Sequence, residues 1–260
     1  MKEQLGYFLI IVTPLLAVAG ISTLPPIPQD PDYHLFIDTR EILSIPNFWN
    51  VVTNLPFAIV GGLGLYRLTV SNQLSIIQEI HIAYRLLFFG TLLVAFGSGY
   101  YHLEPNNQTL VWDRLPMTIA FMALFAIIIG EHISLQASRF LLWPLLFAGI
   151  SSVLYWHLTE GWGEGDLRLY ALVQFYPMLA IPIMLVLFPS RCTHVQAYWW
   201  LLVTYIVAKL FEHFDVAVYE FLGGAFSGHS LKHLFAALGV YILLVFYGKR
   251  RCLAQNHLSG

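Results

Sequence analysis

Eight hydrophobic stretches, each long enough for a helix that crosses a lipid bilayer, follow one another along the chain. Short segments rich in proline, glycine and charged residues separate them, and such segments interrupt helices. This pattern predicts an all-α integral membrane protein, a bundle of seven transmembrane helices with one additional N-terminal hydrophobic segment. The predicted spans are 6–24, 50–69, 81–103, 115–133, 138–157, 167–188, 197–215 and 229–248.

The chain divides into four regions on this pattern. The first hydrophobic segment is either a signal anchor or a signal peptide, because Ala17-Val18-Ala19 resembles a cleavage site. Both alternatives leave the same helical core. The regions are the N-terminal segment 1–24, an acidic extracytoplasmic loop 25–49, a membrane domain 50–248 and a basic cytoplasmic tail 249–260.

Composition agrees with a membrane setting and narrows the partners. The chain is 58% hydrophobic and 11% charged, with a mean hydropathy of +0.68, far from the average of soluble domains. A net charge of −2 without a basic stripe argues against nucleic acid as a partner. The sequence predicts a membrane-embedded chain whose partner is a lipid entering from the bilayer, and it indicates no protein partner.

Loop charges predict the orientation. If Lys249-Arg250-Arg251 is cytoplasmic, alternation of the spans puts most other basic loop residues on the same side and most acidic ones opposite. We therefore expect a multi-pass protein, of the cell membrane in a bacterium, with a cytoplasmic C-terminus. Cys192 and Cys252 fall on the predicted cytoplasmic side, so we expect reduced thiols, neither bridged nor bound to metal.

Three histidines are candidates for a metal site. His229 and His233 are four residues apart, so a helix presents both imidazoles on one face. His102 ends another span, and the topology places it at the same non-cytoplasmic depth as His229. Three histidines that leave a fourth position for water are the outline of a catalytic zinc site.

Two further polar residues lie near this depth. Ser98 shares a helix face with His102, and Asp113 follows in the next loop. A carboxylate there could act as the base for an attacking water, and a serine hydroxyl could donate to the resulting oxyanion. Other interpretations stay open: Asp113 as a helix N-cap, Ser98 as a small residue for helix packing, and the histidines as interfacial or satisfied polar groups.

These residues carry a family resemblance. Ser98-x-x-x-His102, Asp113-Arg114-Leu115-Pro116-Met117 and Ser227-Gly228-His229-Ser230-Leu231-Lys232-His233 resemble motifs of the alkaline ceramidase family in the CREST superfamily of membrane hydrolases, in particular its bacterial ceramidase-like branch. The segment from Ile45 to Asn54 is similar to the first core helix of that family. The likeness covers roughly 38–248.

The resemblance implies a seven-helix hydrolase of linear amide bonds in sphingolipid metabolism. It implies zinc bound by His102, His229 and His233, with Asp113 as general base and acid and Ser98 as oxyanion donor. The substrate would be a ceramide-like lipid, cleaved to a long-chain base and a fatty acid. The alternatives are a lipid esterase or acyl-remodelling hydrolase of the same superfamily, or a lipid-sensing receptor with structural zinc.

Two acidic clusters each have two interpretations. Animal members of the family have a calcium site before the first core helix, and here Asp38, Glu41 and Asn47 offer suitable oxygens. Asn47 stands where the family usually has glutamate, and Asp38 could instead pair with Arg40. The second cluster is a candidate for orienting a zinc-ligating histidine, although an ion pair between Lys209 and Glu212 is the simpler interpretation. Its members are Glu212, His213 and Asp215.

Overall fold

The computed structural model describes residues 2–253, so 254–260 of the predicted basic tail lie outside the described residues. The described part is a helical bundle with two short 3-10 turns at Pro31–His34 and Gln78–Ile80. Its helices are α1 (Lys2–Ser22), α2 (Phe48–Val52), α3 (Leu55–Thr69), α4 (His81–Leu103), α5 (Asn107–His132), α6 (Leu135–Gly161), α7 (Arg168–Leu187), α8 (Gln196–His213), α9 (Asp215–Phe221) and α10 (Gly228–Lys249).

The helices confirm the predicted all-α membrane bundle. Within the described residues, seven helical segments are long and apolar enough to cross a membrane, with α2 and α3 counted as one segment. The predicted span that is not among these seven, 197–215, is α8, which has 18 residues, includes Lys209 and Glu212, and packs along α10. A central apolar core joins the helices, with α5 the most buried of the candidate spans.

Helix α5 begins earlier than its predicted span. Asn106 caps it by accepting from the backbone N–H groups of Gln108 and Thr109, while the Thr109 hydroxyl accepts from the backbone of Asn106. This reciprocal capping fixes the helix start at Asn107. Asp113 therefore lies inside α5, and its interpretation as an N-cap is wrong.

The connection between α1 and α2, residues 23–47, covers one end of the bundle, and we call it the site loop. Its contacts reach several helices: His34 bonds to Tyr101 at 2.9 Å and to Asn107 at 2.8 Å, and the backbone N–H of Leu167 donates to Ile27 O at 2.8 Å. Within the described residues, side-chain hydrogen bonds thus tie the loop to α4 and α5, and a backbone hydrogen bond ties it to the segment before α7.

The segment before α7 carries its own ion pair. Arg168 donates from Nη2 to Asp166 Oδ2 at 2.8 Å, and this guanidinium lowers the pKa of the Asp166 carboxyl to about 2. Arg168 also donates to the carbonyl oxygen of Leu24, so the ion pair anchors the start of the site loop.

A disulfide at the opposite end corrects the prediction for the cysteines. Cys192 and Cys252 are bonded to each other. Their segments pair as a short antiparallel bridge, in which the N–H of Thr193 donates to Arg251 O and the N–H of Leu253 donates to Arg191 O, both at 2.9 Å. The prediction of unbridged thiols was wrong because it rested on the predicted cytoplasmic side alone, and a separation of 60 residues gives no sign that the segments after α7 and α10 pair with each other.

A buried ion pair lies beside this disulfide. Arg250, counted in the basic tail by its sequence, is only 4% exposed and donates from Nη1 to Glu131 Oε1 at 2.7 Å. Tyr84 donates to the same oxygen at 2.6 Å. Because unpaired charges are costly in an apolar interior, this pair requires both partners. We call this end of the bundle the disulfide end and the other the site end.

Two residues allow α4 and α5 to lie close together near the site end. A Cβ atom on Gly97 would lie 1.9 Å from the carbonyl oxygen of Trp112. This would be a clash with a backbone atom, so α4 and α5 would have to move apart. Pro116 lacks the N–H that would otherwise donate to this same carbonyl within α5. The glycine and the proline thus allow the Trp112 carbonyl to lie against α4. Ser98 directly follows Gly97, and Asp113 directly follows Trp112.

We expect Gly97→Ala to lower the stability of the protein by about 1–3 kcal/mol, the usual cost of overpacking. Gly99→Ala is the matched control, because a Cβ there meets no atom within 4 Å and alanine favours helix by up to about 1 kcal/mol. Thermal unfolding of the purified variants in detergent, followed by tryptophan fluorescence, measures both. Equal melting temperatures for the two variants would refute the close contact.

Candidate metal centre

The three predicted histidines meet at the site end. His102 lies in the last turn of α4, and His229 and His233 lie in the first two turns of α10. One ligand nitrogen from each comes within 4.8 Å of the others, and all three residues are buried. This buried cluster could hold a metal ion.

The nitrogen geometry tests whether zinc fits. His102 Nε2 and His229 Nε2 face each other at 3.3 Å. Two nitrogens bound to one tetrahedral zinc at about 2.0–2.1 Å lie about 3.3–3.4 Å apart. The observed separation and the all-nitrogen donor set therefore suit a zinc ion.

Thr53 orients the third histidine. Its hydroxyl donates to Trp49 O at 2.6 Å and lies 3.0 Å from His233 Nδ1, so it accepts a hydrogen bond from that nitrogen. This bond leaves the lone pair on Nε2, the nitrogen free for a metal. Sequence reasoning missed Thr53, because the residue it contacts is 180 positions away and no spacing marks it.

The predicted second cluster acts on the start of α10 and not on the histidine rings. Asp215 Oδ1 accepts from the backbone N–H of His229 at 2.7 Å. Glu212 accepts from Lys232 at 2.7 Å and also from Lys209. His213 packs edge-on against Phe214, with the ring centroids 4.7 Å apart. Thr53, which lies outside this cluster, supplies the bond to a ligand ring.

Gly228 makes the contact between α10 and Asp215 feasible. A Cβ atom there would lie 2.2 Å from the carbonyl oxygen of Phe211 in α8. Ser227 caps α10 by accepting from the N–H of Ser230 at 3.0 Å. The turn from α8 through α9 into α10 is thereby fixed, and with it the position of His229.

Ser98 and Asp113 border the same space as His233. All three line a cavity of about 290 Å³ at the site end, and Ser98 and Asp113 are 2% and 7% exposed. The remaining wall is mostly apolar, including Phe57, Val94, Met117, Phe121 and Val240. The cavity therefore combines polar chemistry at the histidines with room for a hydrocarbon chain.

Two of the three candidate calcium ligands, Asp38 and Asn47, have other partners. Both carboxylate oxygens of Asp38 accept from Arg40, at 2.8 Å and 2.6 Å. The Asn47 amide donates to the carbonyl oxygen of His102 at 2.9 Å, and Glu41 is exposed. These contacts favour the interpretation in which Asp38 pairs with Arg40, while Asn47 joins the site loop to α4.

The fold and site define a class: a membrane helical bundle with a three-histidine centre beside a largely apolar cavity. Comparison with family models gives a match to the family described as Ceramidase over residues 42–258. The chain therefore belongs to the ceramidase family. Neither curated proteins nor solved structures give a match.

We expect Thr53→Val to weaken zinc binding about 10- to 100-fold, the usual effect of losing the partner of a ligating histidine. Thr118→Val is the matched control, because Thr118 is also buried and its hydroxyl donates only to Leu115 O in its own helix. Competition with a chelator of known affinity measures both, and His233→Ala should lose most of the metal. Unchanged affinity in Thr53→Val would refute the orienting role.

Proposed function

We propose that this protein is a zinc-dependent membrane amidase that hydrolyses the N-acyl bond of ceramide-like lipids, releasing a long-chain base and a fatty acid. One observation carries the proposal: the buried three-histidine cluster borders, through His233, a largely apolar cavity that Ser98 and Asp113 also line. Membership of the ceramidase family supports a hydrolase that acts on amide bonds.

His102, His229 and His233 would hold the zinc. Bound there, zinc would polarise the amide carbonyl and make hydroxide available near neutral pH. The protein contributes the apolar wall, which excludes bulk water, and the bond from His233 Nδ1 to Thr53, which fixes the ring. Such fixed geometry allows the site to act without reorganisation.

Asp113 is suited to move the proton. Its carboxylate is held inside α5 and faces the cavity, and it makes no ion pair within 4.0 Å among the described residues. It is thus free to accept a proton from the attacking water and to return it to the departing amine. Ser98, on the facing helix, would donate its hydroxyl hydrogen to the carbonyl oxygen as negative charge develops there.

We expect Asp113→Asn to retain zinc and to lower turnover by about 10²- to 10⁴-fold, the usual contribution of a positioned base. Because Asn106 caps α5, the substitution leaves the helix start intact. Asp32→Asn, which changes an exposed carboxylate of the site loop, is the control. The measurement is fatty-acid release together with metal content, and a wild-type rate in Asp113→Asn would contradict the proposed role.

The substrate class is tested with a pair of lipids that have the same chains, one joined by an amide and one by an ester. The zinc-loaded protein should release fatty acid from the ceramide and stop when a chelator removes the metal. Cleavage of the ester lipid alone would leave a lipid hydrolase but would refute the amidase.

We further propose that the site faces the non-cytoplasmic side. Most basic residues in the connections and near the helix ends lie at the disulfide end, including Arg67, Arg85, Arg139 and Arg191, and the positive-inside rule assigns that end to the cytoplasm. The Cys192–Cys252 bond is an opposing signal, because disulfides are rare in the cytoplasm. Charge in short loops is the more general determinant of orientation, and the proposed orientation rests on it.

We expect Gln108→Cys, in a background without Cys192 and Cys252, to react with an impermeant thiol reagent in intact cells. Gln73→Cys should react only after lysis. The two glutamines form a matched pair, since both are exposed and they lie at the site end and the disulfide end respectively. The reverse pattern would invert the orientation and would agree with the disulfide.

A further inference from the structure

Arg114 is a buried cation that the proposed hydrolysis does not use. It follows Asp113 in α5, and its side chain is only 5% exposed. Its guanidinium carbon lies 4.2 Å from the ring centroid of Trp156, 4.7 Å from that of Tyr170 and 5.7 Å from that of Tyr33. These rings belong to α6, α7 and the site loop, so three separate elements hold the guanidinium in one place.

The surrounding residues do not neutralise this charge. Nη2 donates to the neutral amide oxygen of Gln29 at 2.6 Å. Among the described residues, no carboxylate lies within 4.0 Å of Arg114, and its buried Nη1 has no hydrogen-bond partner. Aromatic faces attract a cation but carry no net negative charge, and a buried unpaired charge is costly. The arrangement is typical of a group whose acceptor comes from a ligand.

Arg114 lines the same cavity as the proposed catalytic groups Ser98 and Asp113. The cavity wall contains three cationic side chains but only two carboxylates. Glu212 pairs with both lysines, and Asp113 is the other acid. The charged groups in the cavity wall are Lys209, Lys232, Arg114, Asp113 and Glu212. Their excess of positive charge favours an occupant that carries negative charge.

We infer that Arg114 forms a subsite for an oxyanion, a phosphate or a sulfonate, at the polar end of the lipid substrate. This inference rests on the proposed hydrolysis of an N-acyl lipid. A guanidinium presents N–H donors in a plane that matches two oxygens of such a group, and Nη1 is a donor without a protein acceptor. The apolar side of the cavity is left for the acyl chain.

The subsite predicts that the protein prefers a substrate with a phosphate head to one with a neutral head. Zinc-loaded wild-type protein is given two N-acyl long-chain bases with the same chains, one with a neutral hydroxyl head and one with a phosphate at that position. The phosphate lipid should have the higher kcat/KM. Arg114→Gln should reduce the ratio of the two kcat/KM values about 10- to 100-fold, because a charge-assisted hydrogen bond is lost. A sulfonate analogue of the same lipid shows which oxyanion is preferred.

Controls separate recognition from a structural role. Arg40→Gln should keep the wild-type ratio, since Arg40 also lies over a tyrosine ring but pairs with Asp38 outside the cavity. Arg114→Lys keeps the charge without the planar donors and should give an intermediate ratio. If Arg114→Gln lowers only the melting temperature and leaves the ratio unchanged, Arg114 is a structural clamp and the subsite is refuted.

The wild-type comparison tests the inference without any variant. A preference for the neutral lipid, or equal kcat/KM values, overturns it. If neither lipid is cleaved, the proposed hydrolysis fails, and equilibrium binding of both lipids to the wild-type protein in nanodiscs then tests the subsite separately. Tighter binding of the phosphate lipid supports the subsite, and equal affinities overturn it. Free fatty acid could also inhibit Arg114→Gln less than it inhibits the wild-type protein, while the preference for the phosphate lipid stays unchanged. That result would show that Arg114 binds the carboxylate of the product, and it would overturn the subsite.

Discussion

The close contact between α4 and α5 at Gly97 and Trp112 is the constraint on which the site depends. Backbone atoms meet there at a distance that only glycine permits, and Pro116 leaves the Trp112 carbonyl without its usual donor in the helix. Ser98 and Asp113 each follow one of the two touching residues and therefore face the same cavity. Gly228 has the same function where α10 meets α8, and it places His229 opposite His102.

The buried charged side chains lie in two clusters, one at each end of an apolar bundle, because charges are costly in the middle of a membrane. At the disulfide end, Glu131 and Arg250 neutralise each other and bring the last residues of α10 against α5. At the site end the balance differs, because Glu212 serves two lysines and Arg114 has no carboxylate partner within 4.0 Å in the described residues. The first cluster balances its charges within the protein, whereas the second leaves Nη1 of the cavity-lining Arg114 without a protein acceptor among the described residues.

The site loop links these features. It supplies Tyr33 and Gln29 to the guanidinium of Arg114, and His34 to Tyr101, the residue before His102. Asn47 donates to the backbone of His102 itself. A segment with only one short 3-10 turn thereby positions residues from α4 and α5, because its side chains hydrogen-bond to groups of both helices.

Hydrophobic periodicity determined the helical class and the approximate spans, because a chain in a bilayer must satisfy its own backbone hydrogen bonds. The spacing of His229 and His233 also predicted their shared face, since the helical repeat fixes it. Tertiary structure alone decided the meeting of His102 with this pair, the bond between Thr53 and His233, the disulfide of Cys192 with Cys252, and the aromatic surroundings of Arg114. Each joins residues that are distant in the chain, and lateral helix packing, which depends on side-chain shape, leaves no periodic signal in one sequence.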